Sequence, residues 1–400
     1  MDPIGPASHR GSASLGAAMG RTLELSAMGG NRPPAEAAIS AAVAREADGF
    51  DAVWWADHFL HWFPLGIWTQ DLVPQAATSP NPHTWMDPVP IIAAAAERTS
   101  TVRLGIGVTD LVRRNPASLA QTALTLDHVT GGRFMLGVGT GEDLNLVPYG
   151  MENPAPMQRL EEGLEVMRLL MADPGPVDYE GQVFRLDGAF MGVRPLGDVP
   201  PPIWVAAHRP RGLALAGRLG DGWLPLATDV DAYAGMLAQV RTAQHAAGRP
   251  DDAVTAGAYC RVVVADDDDE ARELILGSLL MRFIALTRPS EAYEAAGAQH
   301  PLGEGAFGLT SFMPTRVGRD EALALAAAVP DEVLLGTVIH GSPDDVAREV
   351  LRIHAVGADH VQLTNMTPLA DPSRAAASEA LLREAITTIR AGALAGSAAA

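Results

Sequence analysis

Eight short apolar runs, each separated from the next by a longer stretch, constrain this chain more than any other feature. They read TLELSAM (22–28), AVWWAD (52–57), VRLGIGV (102–108), FMLGVG (134–139), IWVAAH (203–208), GWLPLA (222–227), GAYCRVVVA (257–265) and HVQLTN (360–365). Strands this uniformly apolar belong to a parallel sheet covered on both faces, and parallel neighbours need a crossover of about a dozen residues or more. Segments with helical spacing at 35–48, 116–129, 158–171 and 343–355 supply such crossovers. Eight units of this kind predict an α/β fold closed into one (β/α)8 TIM barrel over residues 21–390. The surplus length falls in insertions after strands two (59–86), four (172–200, with the hairpin signal VDYEGQVFRLDG) and seven (286–330). Long connections inside a compact domain generally cover or line a site. Residues 1–20 and the Ala/Gly/Ser-rich stretch 391–400 lack packing periodicity and are expected to be mobile ends.

Composition removes several function classes. A formal charge of -19 disfavours nucleic acid and anionic lipid as partners. All 29 basic residues are Arg, which excludes Schiff-base lysine chemistry and the P-loop lysine. The single cysteine, Cys260, lies in an apolar run and reads as core filling. The acidic run Asp266–Glu270 lacks the alternation of a calcium loop and reads as the first turn of a helix. There is no GxSxG nucleophile elbow. No apolar stretch is long enough to span a membrane and no leader pattern opens the chain, so a cytoplasmic protein is expected.

The candidate chemistry sits at the ends of strands. WADHFLHW (55–62) ends strand two with Asp57 and His58, and Trp62 follows four residues after the histidine. His58 suits general acid or base work near neutral pH, and an indole suits covering a flat ring. A structural histidine paired with a loop carbonyl is the plain alternative. A metal site built from Asp57, His58 and His61 is a third reading, with no ligand-like cluster at other strand ends to complete it. In LGVGTGEDLN (136–145) the glycines 137, 139 and 141 alternate, unlike the GxGxxG of a dinucleotide site, and let a planar ligand approach the backbone. Glu142 is then either an acid whose pKa burial raises or a carboxylate at a helix start.

Asn115 and Pro116 mark the N-cap and N1 of a helix, with Arg113 and Arg114 just before it. With Arg209 and Arg211 of AAHRPRG (206–212) they offer four cations on one barrel face, either for an anionic ligand or as solvated surface. Trp54, Trp55, Trp62, Trp68 and Trp85, with Phe59, Phe63, Leu65 and Ile67, make the first long loop unusually apolar. A lid over a cofactor or greasy substrate and a homodimer interface both fit that composition.

Taken together, DHFLHW and GVGTGEDLN on successive strands resemble the luciferase-like superfamily, in its branch of oxidoreductases dependent on the deazaflavin coenzyme F420. The similarity spans about residues 21–365. The resemblance implies that Asp57, Asp110, Thr140, Gly141 and Asn145 hold the deazaflavin, with a non-prolyl cis peptide at Gly107 and Val108 behind its ring. It implies that His208, Arg209, Arg211 and Gly212 form the loop for the cofactor tail. Catalytic roles fall to His58 for the substrate proton, Glu142 for the proton at the cofactor ring, and Trp62 as cover. VTDLVRRNPA, IWVAAHRPR and HPLGEGAF look most like phthiodiolone dimycocerosate ketoreductases. Where sugar-phosphate dehydrogenases of this branch present Thr and Lys, this chain has Leu226 and Asp229. An apolar or lipid-linked ketone lined by Phe59, Phe63, Trp68 and Leu226 is therefore the expected substrate. A flavin mononucleotide (FMN) monooxygenase, a non-catalytic cofactor-binding barrel and a metal hydrolase are the rival functions on the same fold.

Overall fold

The computed structural model describes residues 22–197 and 199–398. The N-terminal segment 1–20 expected to be mobile lies outside the described residues. Eight parallel strands close on themselves: β1 (Glu24–Met28), β2 (Ala52–Trp55), β3 (Arg103–Asp110), β4 (Phe134–Gly139), β5 (Ile203–Val205), β6 (Gly222–Trp223), β7 (Thr255–Val264) and β8 (His360–Asn365). The barrel closes through Leu25 opposite Val361 on β1 and β8. β6 is shorter than its apolar run predicts because Pro225 has no N–H to donate, leaving only a lone bridge from Leu226 to Tyr259 beyond it. A short extra strand, Ile339–Gly341, pairs with the upper part of β7.

Helices Ala35–Ala47, Pro116–Thr130, Pro156–Ala172 and Pro343–Ala355 occupy the predicted crossovers. The Asn115 side chain accepts from the Ala117 N–H, the expected cap. Asp267 caps Asp268–Gly277 in the same way, so the acidic run is a helix start. The hairpin pairs Val177–Glu180 with Arg185–Ala189. Glu162 holds it by accepting the N–H groups of Gln182, Val183 and Phe184 at 2.8, 2.8 and 2.9 Å. The tail expected to be mobile from residue 391 is helical as far as Ala398, within the helix Ala375–Ala398. Ile386, Ile389 and Ala393 continue an apolar stripe against the core, which the Ala/Gly/Ser composition hides.

Three cores organise the molecule. The largest lies between strands and helices, with Val53, Leu104, Leu136 and Val205 fully buried. A second plugs the barrel interior: Trp54 meets Trp204 edge-on at 5.4 Å and donates its indole N–H to buried His360 at 3.0 Å. The third joins the insertions after β2 and β7, packing Phe63, Ile67 and Trp68 against Leu280, Phe283 and Phe312. Gly29 is required by close approach, since a Cβ there would stand 2.3 Å from the Trp55 ring.

Candidate active site

Above the tryptophan plug, at the C-terminal ends of the strands, lies a cavity of about 540 Å³, within the range of small-molecule sites. One wall is backbone: Gly107, Val108, Gly139 and Gly141 line it, and the Gly107–Val108 peptide is cis, where the family resemblance implies it. Gly141 has φ +86°, which a side chain would strain. No side chain projects from these glycines, so a flat ring can lie against the wall.

Below that wall, charge is neutralised internally. Asp57 accepts from Thr109 Oγ1 at 2.6 Å, Arg114 Nε at 2.8 Å and Arg113 Nη1 at 3.2 Å. Burial alone would raise its pKa, but the hydrogen bond from Arg114 and the charges of both arginines hold it below the usual value. Asp110 takes the N–H groups of Val112 and Arg113 at 2.9 and 2.8 Å, and Arg113 Nε as well. Arg113 and Arg114 are thus paired with Asp57, Asp110 and Asp87, neither solvated surface nor free cations, although Arg113 borders the cavity. Asp57 and Asp110, at the ends of neighbouring strands, supply these partners.

The reactive pair stands beside this network. Asn145 fixes its geometry: Oδ1 accepts the backbone N–H of Phe59 at 2.7 Å and of Leu60 at 3.2 Å, which orients the amide without ambiguity. Its Nδ2 therefore donates, to His58 Nδ1 at 2.8 Å and to Glu142 Oε2 at 3.1 Å. A neutral His58 that accepts at Nδ1 carries its proton on Nε2. Desolvation, then the Arg113 charge, lower the His58 pKa to about 4. Desolvation raises Glu142 to about 8, with Asp110 adding to the rise against Arg113 and Arg261. The 3.4 Å contact between His58 Nδ1 and Glu142 Oε2 at neutral pH is consequently one between a neutral imidazole and a protonated acid, not an ion pair.

The family profile described as luciferase-like monooxygenase matches residues 16–360. This chain belongs to the luciferase-like monooxygenase family. A phthiodiolone/phenolphthiodiolone dimycocerosates ketoreductase of Mycobacterium tuberculosis (strain ATCC 25618 / H37Rv) is 33% identical over 366 residues, covering 89% of this chain and 92% of the relative. Among solved structures, an F420-dependent secondary alcohol dehydrogenase in complex with an F420-acetone adduct superposes with a TM-score of 0.70 at 22% identity, covering 92% of this chain and 99% of that one. The oxygenating constituent of 3,6-diketocamphane monooxygenase from Pseudomonas putida, in complex with FMN, reaches a TM-score of 0.60 at 20% identity over 92% of this chain and 97% of that one.

Within this luciferase-like barrel the cavity has room and polar groups for a ring cofactor. Trp62 Nε1, Trp85 Nε1 and Thr364 Oγ1 are buried on its wall with no hydrogen-bond partner. Such atoms carry a desolvation cost unless a ligand meets them. Trp62 and Trp85 flank His58, with ring centroids 5.4 and 5.2 Å from its imidazole. Thr140, Gly141, Asp57, Asp110 and Asn145 all border the cavity, although the side-chain oxygens of Asp57, Asp110 and Asn145 are occupied by protein donors.

Other expected residues lie elsewhere. Phe63 and Trp68 are buried in the third core, and Phe59 is 40% exposed, its ring tilted against Tyr149 at 4.5 Å; none lines the cavity. A loop that is apolar because it packs on another insertion looks, in sequence, like one that packs on a ligand. Leu226 does line the cavity, and His208 lies beside it, accepting the Leu226 N–H at 2.8 Å. Arg209 is exposed and paired with Glu291, while Gly212 packs against Ala207, which a Cβ would approach to 2.9 Å. Arg211 is exposed on the first turn of helix Pro210–Leu219 with no ion pair among the described residues. Arg32, Arg261, Phe307 and Leu309 line the cavity without having been singled out from the sequence. No group of three or more potential ligands for a metal ion occurs among the described residues, and no helix there is long and apolar enough to cross a membrane.

Proposed function

We propose that this protein is an F420-dependent oxidoreductase that passes a hydride between the deazaflavin and a carbonyl or secondary alcohol. The observation that carries the reading is the pairing of Glu142 and His58, 3.4 Å apart and both held by Asn145 Nδ2, beside a glycine wall, where burial favours the protonated acid and the neutral imidazole. Reducing a ketone requires a hydride at carbon and a proton at oxygen, and the bound deazaflavin supplies the hydride. Gly107, Val108, Thr140 and Gly141 would seat the ring, Trp62 and Trp85 would donate their indole N–H groups and exclude water, and Arg211 would meet the anionic tail at a helix N-terminus. Glu142, holding its proton to about pH 8, is the acid for the product oxygen. His58, neutral with a proton on Nε2, orients the substrate oxygen by donating to it. This assigns the proton to Glu142 and orientation to His58, reversing the expectation that His58 moves the substrate proton.

The kinship with ketoreductases and with an F420-dependent dehydrogenase supports the reading. For the substrate, Ile284, Phe307, Leu309, Met366 and Leu369 line the cavity and favour an apolar body, since each buried methylene gains about 0.8 kcal/mol. The deciding experiment titrates the cofactor-free protein with F420 and with FMN, followed by absorbance. F420 binding without reductant-dependent peroxide supports the proposal. Selective FMN binding with peroxide formation assigns the chain to the flavin monooxygenases instead.

A further inference from the structure

The cavity contains a cation that its own protein does not neutralise. Arg261 projects from β7 with 4% exposure and lines the cavity. Its guanidinium makes one hydrogen bond, from Nη1 to Thr287 Oγ1 at 3.0 Å, and stands 5.7 Å from the Tyr259 ring centroid. A guanidinium has five N–H donors, so four are left without a protein acceptor among the described residues. Thr287 is itself committed, donating to the Ile284 carbonyl at 2.6 Å. The neighbouring charges do not help. Arg32, also on the cavity wall, makes a single 3.5 Å bond to the Pro82 carbonyl, and the fields of Arg32 and Arg261 both reach His61. Asp57 and Asp110 are already held by Arg113 and Arg114. Glu142 keeps its proton at neutral pH. A chain with a formal charge of -19 has thus placed a buried Arg261 and a half-buried Arg32 in one cavity, neither in an ion pair among the described residues.

Burying an unpaired charge is costly, and the cost is recovered only when an anion arrives. We propose that Arg261 anchors an oxyanion carried by the substrate, so that the ketone is an amphiphile with an apolar body and an anionic head. Topology separates this anchor from the seat of the ring. In the eight-stranded closed order, β7 lies four strands from β3 in either direction, directly across the barrel from Gly107 and Val108. Glu142 and His58 line the same cavity as Arg261, so a substrate held at Arg261 would present its carbonyl within that space. Phe307 and Leu309, on the segment that packs against Thr287, would cover the carbon chain next to the held oxyanion. This inference deepens the proposed function and rests on it for the reaction, but not for the binding event.

The test uses levulinate and its longer oxo-acid homologues, each against its methyl ester. Binding is read by calorimetry and by the fluorescence of Trp62 and Trp85, in cofactor-free and in F420-titrated protein. The wild type is expected to bind the acid at least tenfold tighter than the ester. Arg261→Met is expected to erase that preference while leaving the ester within about threefold, and Arg261→Lys to keep most of it. Equal binding of acid and ester by the wild type overturns the proposal. So does an Arg261→Met variant that loses F420 affinity and keeps the acid preference, because the anion would then belong to the cofactor. Failure of the wild type to bind F420 while it still prefers the acid refutes the deazaflavin reading and leaves the anchor standing.

Discussion

The protonation of Glu142 makes a quantitative prediction about rate and pH. With a pKa of about 8, the protonated fraction is about nine-tenths at pH 7 and about one-tenth at pH 9. If Glu142 delivers the proton, single-turnover ketone reduction in rapid-mixing experiments slows about tenfold across that interval, with an inflection near pH 8. Oxidation of the alcohol shows the mirror image and speeds up. Glu142→Gln retains an oxygen to accept from Asn145 but has no proton to give, so the rate at pH 7 drops by roughly 10²-fold and the alkaline limb disappears. Stability offers a second handle with its own sign. Because the folded pKa is raised above the unfolded value of 4.5, the contribution of Glu142 is fully present below that value and is lost as pH rises through about 8. The glutamine variant should therefore gain on the wild type in thermal unfolding as pH rises over that window, by a few kcal/mol at most. An alkaline limb that survives in Glu142→Gln, or a flat wild-type profile from about pH 7 to 9, refutes the assignment.

Three further outcomes follow from the same geometry. Asn145→Ala removes two backbone anchors and both donors to the reactive pair, and should cost about 1 to 3 kcal/mol in denaturant unfolding along with most of the turnover. Unchanged stability would mean that the amide does not hold the 59–60 turn. His58, His83 and His208 each have pKa values lowered to about 4 from 6.5, so the stability they contribute is present above 6.5 and lost as pH falls toward 4. In a Glu142→Gln background, which removes the opposing carboxyl, a stability that stays level through that interval would show these imidazoles to be solvated. If the proposed cofactor tail meets Arg211, Arg211→Ala should weaken F420 binding about fivefold at low salt. Arg209→Ala, already paired with Glu291, should change it less, and the opposite ranking in a fluorescence titration would place the tail elsewhere.

The barrel was legible because its strands follow the rule that parallel sheets are apolar on both faces, and because Asn115 and Asp267 announce their helices by cap chemistry. His58, Trp62, Glu142 and Leu226 were legible for a related reason. Each sits at or just past the C-terminal end of a predicted strand, and in this fold that position alone fixes which cavity a side chain can reach. Phe59, Phe63 and Trp68 were misread because hydrophobicity says that a side chain will be covered without saying by what. The cover of Phe63 and Trp68 is the insertion after β7, more than two hundred residues away in the chain, while Phe59 stays partly exposed against Tyr149, and no local pattern encodes either outcome.

Arg261 is the more instructive miss, because its signal is local. Along β7 the residues Ala256, Ala258, Cys260, Val262 and Val264 pack in the core between strands and helices, so the alternate positions Tyr259 and Arg261 face the interior of the barrel. An arginine at an inward register of an otherwise apolar strand cannot be solvated like a surface charge, and no strand neighbour supplies a carboxylate. Counting registers along AYCRVVVA therefore separates this cation from Arg209, which an eye for clustered arginines prefers. The same arithmetic changes the expected substrate. A wholly apolar ketone would leave Arg261 desolvated and unpaired in the closed complex, a cost of several kcal/mol that burial of a few methylenes only partly offsets. An anionic head would remove that cost while the apolar body packs on Phe307 and Leu309, so the amphiphile is expected to outcompete both the plain lipid ketone and a fully polar sugar in a competition assay.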